Sequence, residues 1–332
     1  MANIRQSNIE LLRVIIMYMI LLLHANIFTF GWPEGYSTTS LFRLLIESIT
    51  IVAVNVFVLI TGFFGTSFKL SKIANLVFQL IFTVCSITLI LFAFNLHHFG
   101  SWHDLIHGFY FWNYWFINAY IVLLILSPLP NLAIKHLSKS GIKYLIVTLF
   151  IVLSLVEGDF FISPPGVGVN SGFSAIWFLN LYLVGRYIAT YPPQIKAKQL
   201  VALYILCLLG AVILMWKCHD YGYNSPFIAM GSVAFFMLFL KFDFSSKPIN
   251  FIASSSLMVF LLHFHPILID YYKSTLVYLN DKYGNGMMFV VMVLSFCLMI
   301  YVVAILFDQL RKFVWSYVEP HARRLDKKFV VQ

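Results

Sequence analysis

The chain has 332 residues, of which 61% are hydrophobic and only 11% are charged. A soluble domain carries about a quarter charged residues, so this composition cannot form a water-exposed surface. The net charge of +9 does not indicate a nucleic-acid-binding protein, because the basic residues lie in short segments between apolar blocks and form no compact basic face.

The apolar residues form continuous blocks of the length that crosses a membrane. A helix needs roughly 20 apolar residues to span the hydrocarbon, and only helices and closed barrels satisfy their backbone hydrogen bonds in lipid. The sequence therefore predicts an all-α, polytopic integral membrane protein with about ten transmembrane helices. The predicted spans are 9–28, 44–66, 74–94, 112–130, 143–157, 174–190, 199–217, 225–241, 253–273 and 286–310.

The distribution of basic residues predicts the orientation of these spans. Cytoplasmic segments of membrane proteins are enriched in Lys and Arg. With the N-terminus in the cytoplasm, 18 of the 22 basic residues fall inside. The four that fall outside are Arg43, Lys217, Lys273 and Lys282. We therefore expect both termini in the cytoplasm and a single domain over residues 1–332, whose basic end, 311–332, lies on the anionic inner leaflet.

The first predicted span contains the residues most suggestive of chemistry. Arg13 and His24 are eleven residues apart, so they differ by only about 20° around a helix and share one face. Their separation along the helix axis is about 16 Å at 1.5 Å per residue. Glu10 lies one turn before Arg13, within reach as its i, i+3 partner.

This spacing suits a substrate with a phosphate at one end and a reactive group at the other. A guanidinium near the cytoplasmic end binds a phosphate through two hydrogen bonds. An imidazole further along removes a proton from an attacking hydroxyl, because its pKa lies near neutrality. Coenzyme A has a long arm of this kind. The residues alone leave structural roles open, with Arg13 as an anchor, His24 as an interfacial histidine and Glu10 as a helix-start charge.

Four segments, in order along nearly the whole chain, resemble motifs of the membrane acyltransferase 3 family. The first of these segments has an arginine early and a histidine late in the first predicted span, as members of the family do. The segments are Ile9–Ala25, Asn55–Phe64 (NVFVLITGFF, with Thr61 in place of a serine), Trp177–Arg186 (WFLNLYLVGR) and Phe260–Pro266 (FLLHFHP).

The resemblance implies an acetyl-CoA-dependent O-acetyltransferase of the bacterial inner membrane that modifies a surface polysaccharide such as lipopolysaccharide O-antigen, capsule or exopolysaccharide. It implies His24 as the catalytic base and Arg13 as a ligand of the acyl-CoA. Because Glu10 lies about 21 Å from His24 along the helix axis, we expect it to assist catalysis by orienting Arg13. The transfer is either direct or passes through an acyl-histidine. The expected partners are acyl-CoA, a lipid-linked or surface glycan and membrane lipids, with neither nucleic acid nor a metal.

Three further basic residues are candidates for binding the CoA phosphates, namely Lys69, Lys72 and Arg186. Many family members carry an arginine pair after the second span, where this chain has the two lysines. They keep the charge but lose the planar fork of arginine. Ordinary positive-inside residues are the alternative for both.

Three more residues are candidates for binding the acceptor, namely Asn55, Trp177 and His263. Each lies in or beside a motif of the resemblance and adds a polar group to an apolar span. Polar contacts between helices are an equally adequate explanation.

A group of histidines in a predicted outer loop raises the question of a metal site. These are His97, His98, His103 and His107. His103 and His107 have the i, i+4 spacing that places two ligands on one helix face. Only Asp104 accompanies them, so we favour solvated or interfacial histidines and expect no metal.

A polysaccharide or lipid-linked sugar exporter is the main alternative function. It predicts internal repeats or broken spans in matching halves, with charged residues at mid-membrane. A glycan polymerase predicts a large outer loop with several arginines. A membrane protein without catalysis leaves the shared face of Arg13 and His24 unexplained. The sequence shows neither the repeats nor the arginine-rich loop.

Overall fold

The computed structural model describes residues 6–35, 37–110, 114–156, 170–219, 222–284 and 286–328. The ends of the predicted spans 112–130 and 143–157, and residues 329–332 of the basic tail, lie outside this part of the chain. The described residues form helices and no β-strand, which confirms the all-α prediction. The helices are α1 Ser7–His24, α2 Ile27–Phe30, α3 Thr38–Thr50, α4 Val52–Phe64, α5 Leu70–Ala93, α6 Trp102–Gly108, α7 Trp115–Leu126, α8 Pro128–His136, α9 Lys139–Phe150, α10 Ala175–Thr190, α11 Ala197–Cys218, α12 Pro226–Phe239, α13 Lys247–Ala253, α14 Ser256–His263, α15 Leu268–Tyr283 and α16 Met287–Lys328, with a π-helix at Ile151–Val156 and a 3-10 turn at Asn170–Gly172.

Several of these helices are long and apolar enough to cross a membrane. Among the described residues there are five such segments, or up to seven if two bent helix pairs each count as one span. The five are Ser7–Phe30, Thr38–Phe64, Leu70–Ala93, Ala197–Cys218 and Met287–Arg324. The chain is therefore a multi-pass membrane protein, whereas the predicted count of ten spans is not confirmed.

Helix length and proline explain the lower count. The predicted spans 174–190 and 225–241 coincide with α10 and α12, but these helices have only 16 and 14 residues. Pro128 begins α8, which is bent by 45° relative to α7. Pro266 lies where the chain bends by 85° before α15. Proline has no N–H and its ring clashes with the preceding turn, so it interrupts a continuous helix.

The chain packs as two compact units. Unit 1 comprises Met1–Phe68 and Phe116–Ala253, and unit 2 comprises Lys69–Trp115 and Ser254–Gln332. The single domain over 1–332 stays a prediction.

Two glycines bring α4 and α10 close together in unit 1. A Cβ on Gly62 would overlap the backbone carbonyl of Tyr182, and a Cβ on Gly185 would overlap that of Leu59. Small residues allow such close helix contacts in a membrane, where apolar surface gains little by leaving lipid. The contact fixes the end of α4 against the C-terminal half of α10.

A buried ionic group lies on α16 of unit 2, which packs against α5 and α14. Asp308 is 1% exposed, and its two oxygens lie 2.7 Å from Arg311 Nε and 3.0 Å from Lys312 Nζ. Lys312 also donates to Ser254 and Ser255, which precede α14, at 2.7 and 2.8 Å. The carboxylate is therefore paired with two cations, as a buried charge requires.

Candidate functional site

Helix α1 carries Arg13 and His24 without interruption. It runs from Ser7 to His24, and both functional side chains are half-buried. Between and around them the fully buried Leu12 and Leu21 anchor the helix in unit 1. Because both residues belong to one helix, the offset of about 20° and the axial separation of about 16 Å follow from helix geometry.

Arg13 lies between a carboxylate and an aromatic ring. Its Nη1 is 3.9 Å from Oε1 of Glu10, whose side chain is 9% exposed. Its guanidinium carbon lies 6.0 Å from the centre of the Phe64 ring at the end of α4, within the range of a cation–π contact. Glu10 therefore contacts Arg13, while about 21 Å of helix separates it from His24. Any catalytic contribution of Glu10 is exerted through the arginine.

Arg186 lies at the same end of α4. Gly65 follows Phe64 with a positive φ of 70°, and a Cβ on it would lie 2.7 Å from Nη1 of Arg186. The guanidinium therefore lies directly over this turn. Its Nε is buried and has no hydrogen-bond partner among the described residues. Leaving a buried donor unsatisfied costs free energy, so this group is suited to receiving an anion.

A cavity of about 800 Å³ opens at this end of unit 1. Its lining includes Gln6 before α1, Phe63 at the end of α4, Ile188 at the end of α10 and Lys241 after α12. Cavities of roughly 300–1,000 Å³ commonly hold small-molecule ligands. The cavity thus borders the ends of α4 and α10, where Phe64 and Arg186 lie, and its lining holds one lysine and one aspartate, Lys241 and Asp243.

His24 is the last residue of α1, at the opposite end from the cavity. The Thr29 hydroxyl donates to the backbone carbonyl of His24 at 2.5 Å. The imidazole ring lies 4.9 Å from the ring of Phe28, in a tilted contact. Both neighbours belong to the short helix α2, which therefore contacts the backbone and the ring of the predicted base.

A hydrogen-bonded group beside His24 was missed by the sequence analysis. Asn26 donates through Nδ2 to Oε2 of Glu47 at 2.8 Å and to the carbonyl of Arg43 at 2.7 Å. Arg43 Nε donates back to Asn26 Oδ1 at 3.1 Å. We call these three residues the Asn26 group. The sequence held a signal for it, because Glu47 is the one charged residue in the predicted span 44–66, and ionisable residues within spans usually have a function.

Two tyrosines make hydrogen bonds near the end of α4, and one of them, Tyr182, lies in the WFLNLYLVGR motif. The Tyr120 hydroxyl lies 3.1 Å from that of Thr61. The Tyr182 hydroxyl accepts from the Thr66 N–H at 2.9 Å and donates to Asn131 Oδ1 at 2.9 Å. These bonds connect α7, α8 and α10 to the end of α4 and the turn after it. No spacing in the sequence distinguishes Tyr120 from the other aromatic residues of the apolar spans.

The structure joins two of the three predicted acceptor-binding residues. Trp177 Nε1 donates to Asn55 Oδ1 at 3.0 Å, and Asn55 Nδ2 donates to the carbonyl of Tyr223 at 2.8 Å. Both side chains are fully buried. Their polar atoms are used within unit 1, and a role in acceptor binding stays a prediction.

Three of the predicted site residues belong to unit 2. Lys69 precedes α5 and Lys72 lies in its first turn, where Asp326 of α16 accepts hydrogen bonds from the backbone N–H and the hydroxyl of Ser71. His263 is 3% exposed at the end of α14, with Nδ1 2.7 Å from a backbone carbonyl one turn earlier. The structure brings Arg13 and Arg186 to one turn, and the roles of these three residues stay predictions.

Two histidines of the predicted outer loop, His97 and His103, have separate partners in the structure. His103 lies 4.0 Å from Asp104, and His97 hydrogen bonds to Tyr271 at 3.0 Å. Across the described part of the chain, no three His, Cys, Asp or Glu side chains form a group that could hold a metal ion.

The described helices, several of them long and apolar enough to cross a membrane, define a multi-pass membrane protein, in which Arg13 and Arg186 lie at the turn that ends α4. A family model described as an acyltransferase domain matches residues 6–308. The chain belongs to the acyltransferase 3 family and is an acyl-transferring membrane enzyme. No curated protein and no solved structure matched the chain. The matched residues include every predicted site residue.

Proposed function

We propose that this enzyme transfers an acetyl group from acetyl-CoA to a hydroxyl of a bacterial surface polysaccharide, such as O-antigen, capsule or exopolysaccharide, in the inner membrane. The observation that carries the proposal is α1, an uninterrupted helix with Arg13 near the cavity and His24 at its other end. Membership of the acyltransferase 3 family favours acyl transfer over sugar export.

The donor binds at the cavity end of α1. Arg13 and Arg186 both lie at the turn that ends α4, and the buried Nε of Arg186 is available to donate. Guanidinium groups bind phosphate oxygens through paired hydrogen bonds. Lys241 in the cavity lining adds a positive charge for the same ligand. The proposal that Lys69 and Lys72 also bind CoA phosphates rests on the sequence alone.

His24 is the general base in the proposed reaction. Its imidazole takes the proton of the acceptor hydroxyl while the hydroxyl oxygen attacks the thioester carbonyl. The C–S bond then breaks, an ester remains on the glycan, and the CoA thiolate takes the proton from the imidazolium. The acetyl group moves from sulfur to oxygen and one proton moves from oxygen to sulfur. Holding both substrates in line supplies much of the rate gain.

The acceptor is a lipid-linked or surface glycan that reaches His24 from the other side of the membrane. Such a glycan cannot enter the same cavity as the cytoplasmic donor without crossing the bilayer. Because α1 carries the phosphate-binding arginine toward one end and the base at the other, each substrate can approach from its own side of the membrane.

A His24→Ala variant tests the proposal in the native host, expressed at the same membrane level as wild type. We expect loss of the ester-linked acetyl groups of the surface polysaccharide at unchanged chain length, because a general base contributes about 10²–10⁴-fold. NMR of the purified polysaccharide measures both quantities.

The matched control is His321→Ala, an exposed histidine of α16 outside the matched residues, which should keep the wild-type ester content. An unchanged ester content in His24→Ala contradicts the role of His24. A shortened or missing polysaccharide points instead to export or polymerisation.

A further inference from the structure

Glu47 is a buried carboxylate inside an apolar span that the proposed reaction does not use. It is 4% exposed and lies on α3, within the membrane-spanning segment Thr38–Phe64. An ionisable side chain at such a position is costly and usually serves a function. Its hydrogen-bond partners come from the turn that follows His24, namely the Asn26 amide at 2.8 Å and the Ile27 backbone N–H.

The Asn26 group fastens both ends of α2 to α3. At the start of α2, Asn26 binds Glu47 and the Arg43 carbonyl. At the end of α2, Nη2 of Arg43 donates to the carbonyl of Gly31 at 2.5 Å, and its guanidinium lies over the ring of Phe30. The four-residue helix α2 is too short to be stable by itself, so these contacts hold it in place.

Helix α2 in turn contacts His24 in two ways. Thr29 binds its backbone carbonyl and Phe28 packs against its ring. We propose that Glu47 is a positioning residue, which fixes α2 through Asn26 and thereby sets the orientation of the His24 imidazole toward the acceptor hydroxyl. This inference rests on the proposed role of His24.

The reach of the Glu47 side chain, rather than its charge, is the property that this role requires. Glu47→Gln keeps the length and one oxygen acceptor for the Asn26 amide. Glu47→Asp keeps the charge but withdraws the acceptor by one methylene. A misplacement of about 1 Å can cost about 100-fold in rate. We therefore expect Glu47→Asp to lower kcat by about this factor, and Glu47→Gln to stay within a few-fold of wild type.

The KM for acetyl-CoA distinguishes a positioning defect from a general loss of structure, because a general loss of structure would change this KM as well. Arg13 and the cavity lie at the other end of α1, so we expect the KM for acetyl-CoA to be unchanged in both Glu47 variants. Ser48→Ala is the matched control, because Ser48 is similarly buried on α3 and its hydroxyl donates to the carbonyl of Leu45 in its own helix. It should keep the wild-type kcat and KM.

The experiment measures CoA release from acetyl-CoA by the full-length protein in lipid nanodiscs, with the host glycan fraction as acceptor. Wild type, His24→Ala, Glu47→Asp, Glu47→Gln and Ser48→Ala are compared at equal folded amounts. Low kcat with unchanged KM in Glu47→Asp, and recovery in Glu47→Gln, support the inference.

Three results would overturn it. Wild-type kcat in Glu47→Asp, with His24→Ala inactive, rejects the positioning role and leaves the proposed function intact. An inactive Glu47→Gln beside an active Glu47→Asp makes the charge decisive and also rejects the inference. Equal CoA release by wild type and His24→Ala rejects the catalytic assignment of His24, and the positioning role with it.

Discussion

Glu47 in unit 1 and Asp308 in unit 2 are both buried side-chain carboxyl groups in helical segments of membrane-spanning length, but their partners differ. Asp308 lies against two cations, Arg311 and Lys312, at 2.7 and 3.0 Å. Glu47 instead accepts hydrogen bonds from the Asn26 amide and a backbone N–H, while the Nε of the neighbouring Arg43 is directed to Asn26. Asp308 neutralises two cations, whereas Glu47 accepts hydrogen bonds from the turn that follows His24.

This difference separates a buried carboxylate with a structural role, Asp308, from one that lies beside the predicted base, Glu47. The ion pairs of Asp308 lie within α16 and neutralise a buried carboxylate, which explains them without a catalytic purpose. The role of Glu47, which accepts a hydrogen bond from an amide next to the predicted base, depends instead on the positions of the hydrogen-bonded atoms. Variants of the two residues should therefore differ in which property they change, stability for Asp308 and turnover for Glu47.

The largest expected loss of stability comes from Asp308→Ala. Removing the carboxylate leaves Arg311, 5% exposed, and Lys312 without their counter-charge. Breaking a buried ion pair by removing one partner costs about 3–5 kcal/mol. Thermal unfolding in detergent, followed by a thiol-reactive dye at the buried Cys207 and Cys297, should show a much lower midpoint. The exposed Asp281→Ala is the control, and a wild-type midpoint for Asp308→Ala would reject the ionic role.

Glu47→Ala should destabilise the protein less. It removes one of the two acceptors of the Asn26 amide, which keeps the Arg43 carbonyl, and the side-chain acceptor of the Ile27 N–H. Both are neutral donors, and a buried donor costs about 1–3 kcal/mol when unsatisfied. The same unfolding assay compares the two alanine variants directly. A midpoint as low as that of Asp308→Ala would mean that Glu47 is chiefly the counter-charge of Arg43.

Two arginines extend the comparison to ligand binding. Arg311 is held by Asp308 at 2.7 Å, whereas Nε of Arg186 has no hydrogen-bond partner among the described residues. Arg186→Lys should raise the KM for acetyl-CoA about tenfold, equal to about 1.4 kcal/mol, because lysine lacks the fork that grips phosphate. Steady-state kinetics with varied acetyl-CoA measure it. Arg311→Lys should leave this KM unchanged, and an equal effect in both variants would contradict the assignment.

The smallest expected effect concerns Asp326, a carboxylate near the surface. Hydrogen bonds from the hydroxyl and backbone N–H of Ser71 lower the pKa of Asp326 below its usual value. Its stabilisation is therefore present above the usual Asp pKa of about 4 and is lost as the pH falls through the lowered value. Asp326→Asn should cost less than about 1 kcal/mol. Unfolding midpoints of wild type and variant should differ at pH 7 and converge in acid. A constant difference would assign the effect to something other than this titration.

The sequence predicts contacts within an element far better than contacts between elements. The shared face of Arg13 and His24 follows from eleven residues of one helix, and the membrane class follows from apolar composition. The hydrogen bond between Asn26 and Glu47 connects the turn after α1 to α3, and no periodicity in the sequence predicts it. Likewise, hydropathy gives the length of an apolar block but not of the helix in it, as the 14 residues of α12 illustrate.

The contact between α4 and α10 has a mechanical consequence. Sliding the helices by one turn would bring Val58 or Leu59 to the place of Gly62, where a side chain meets the Tyr182 backbone. Shear between these two helices is therefore blocked, so Arg186 and Phe64 stay at a fixed distance throughout turnover. Movement that admits an acceptor and releases the ester must therefore occur outside this helix pair.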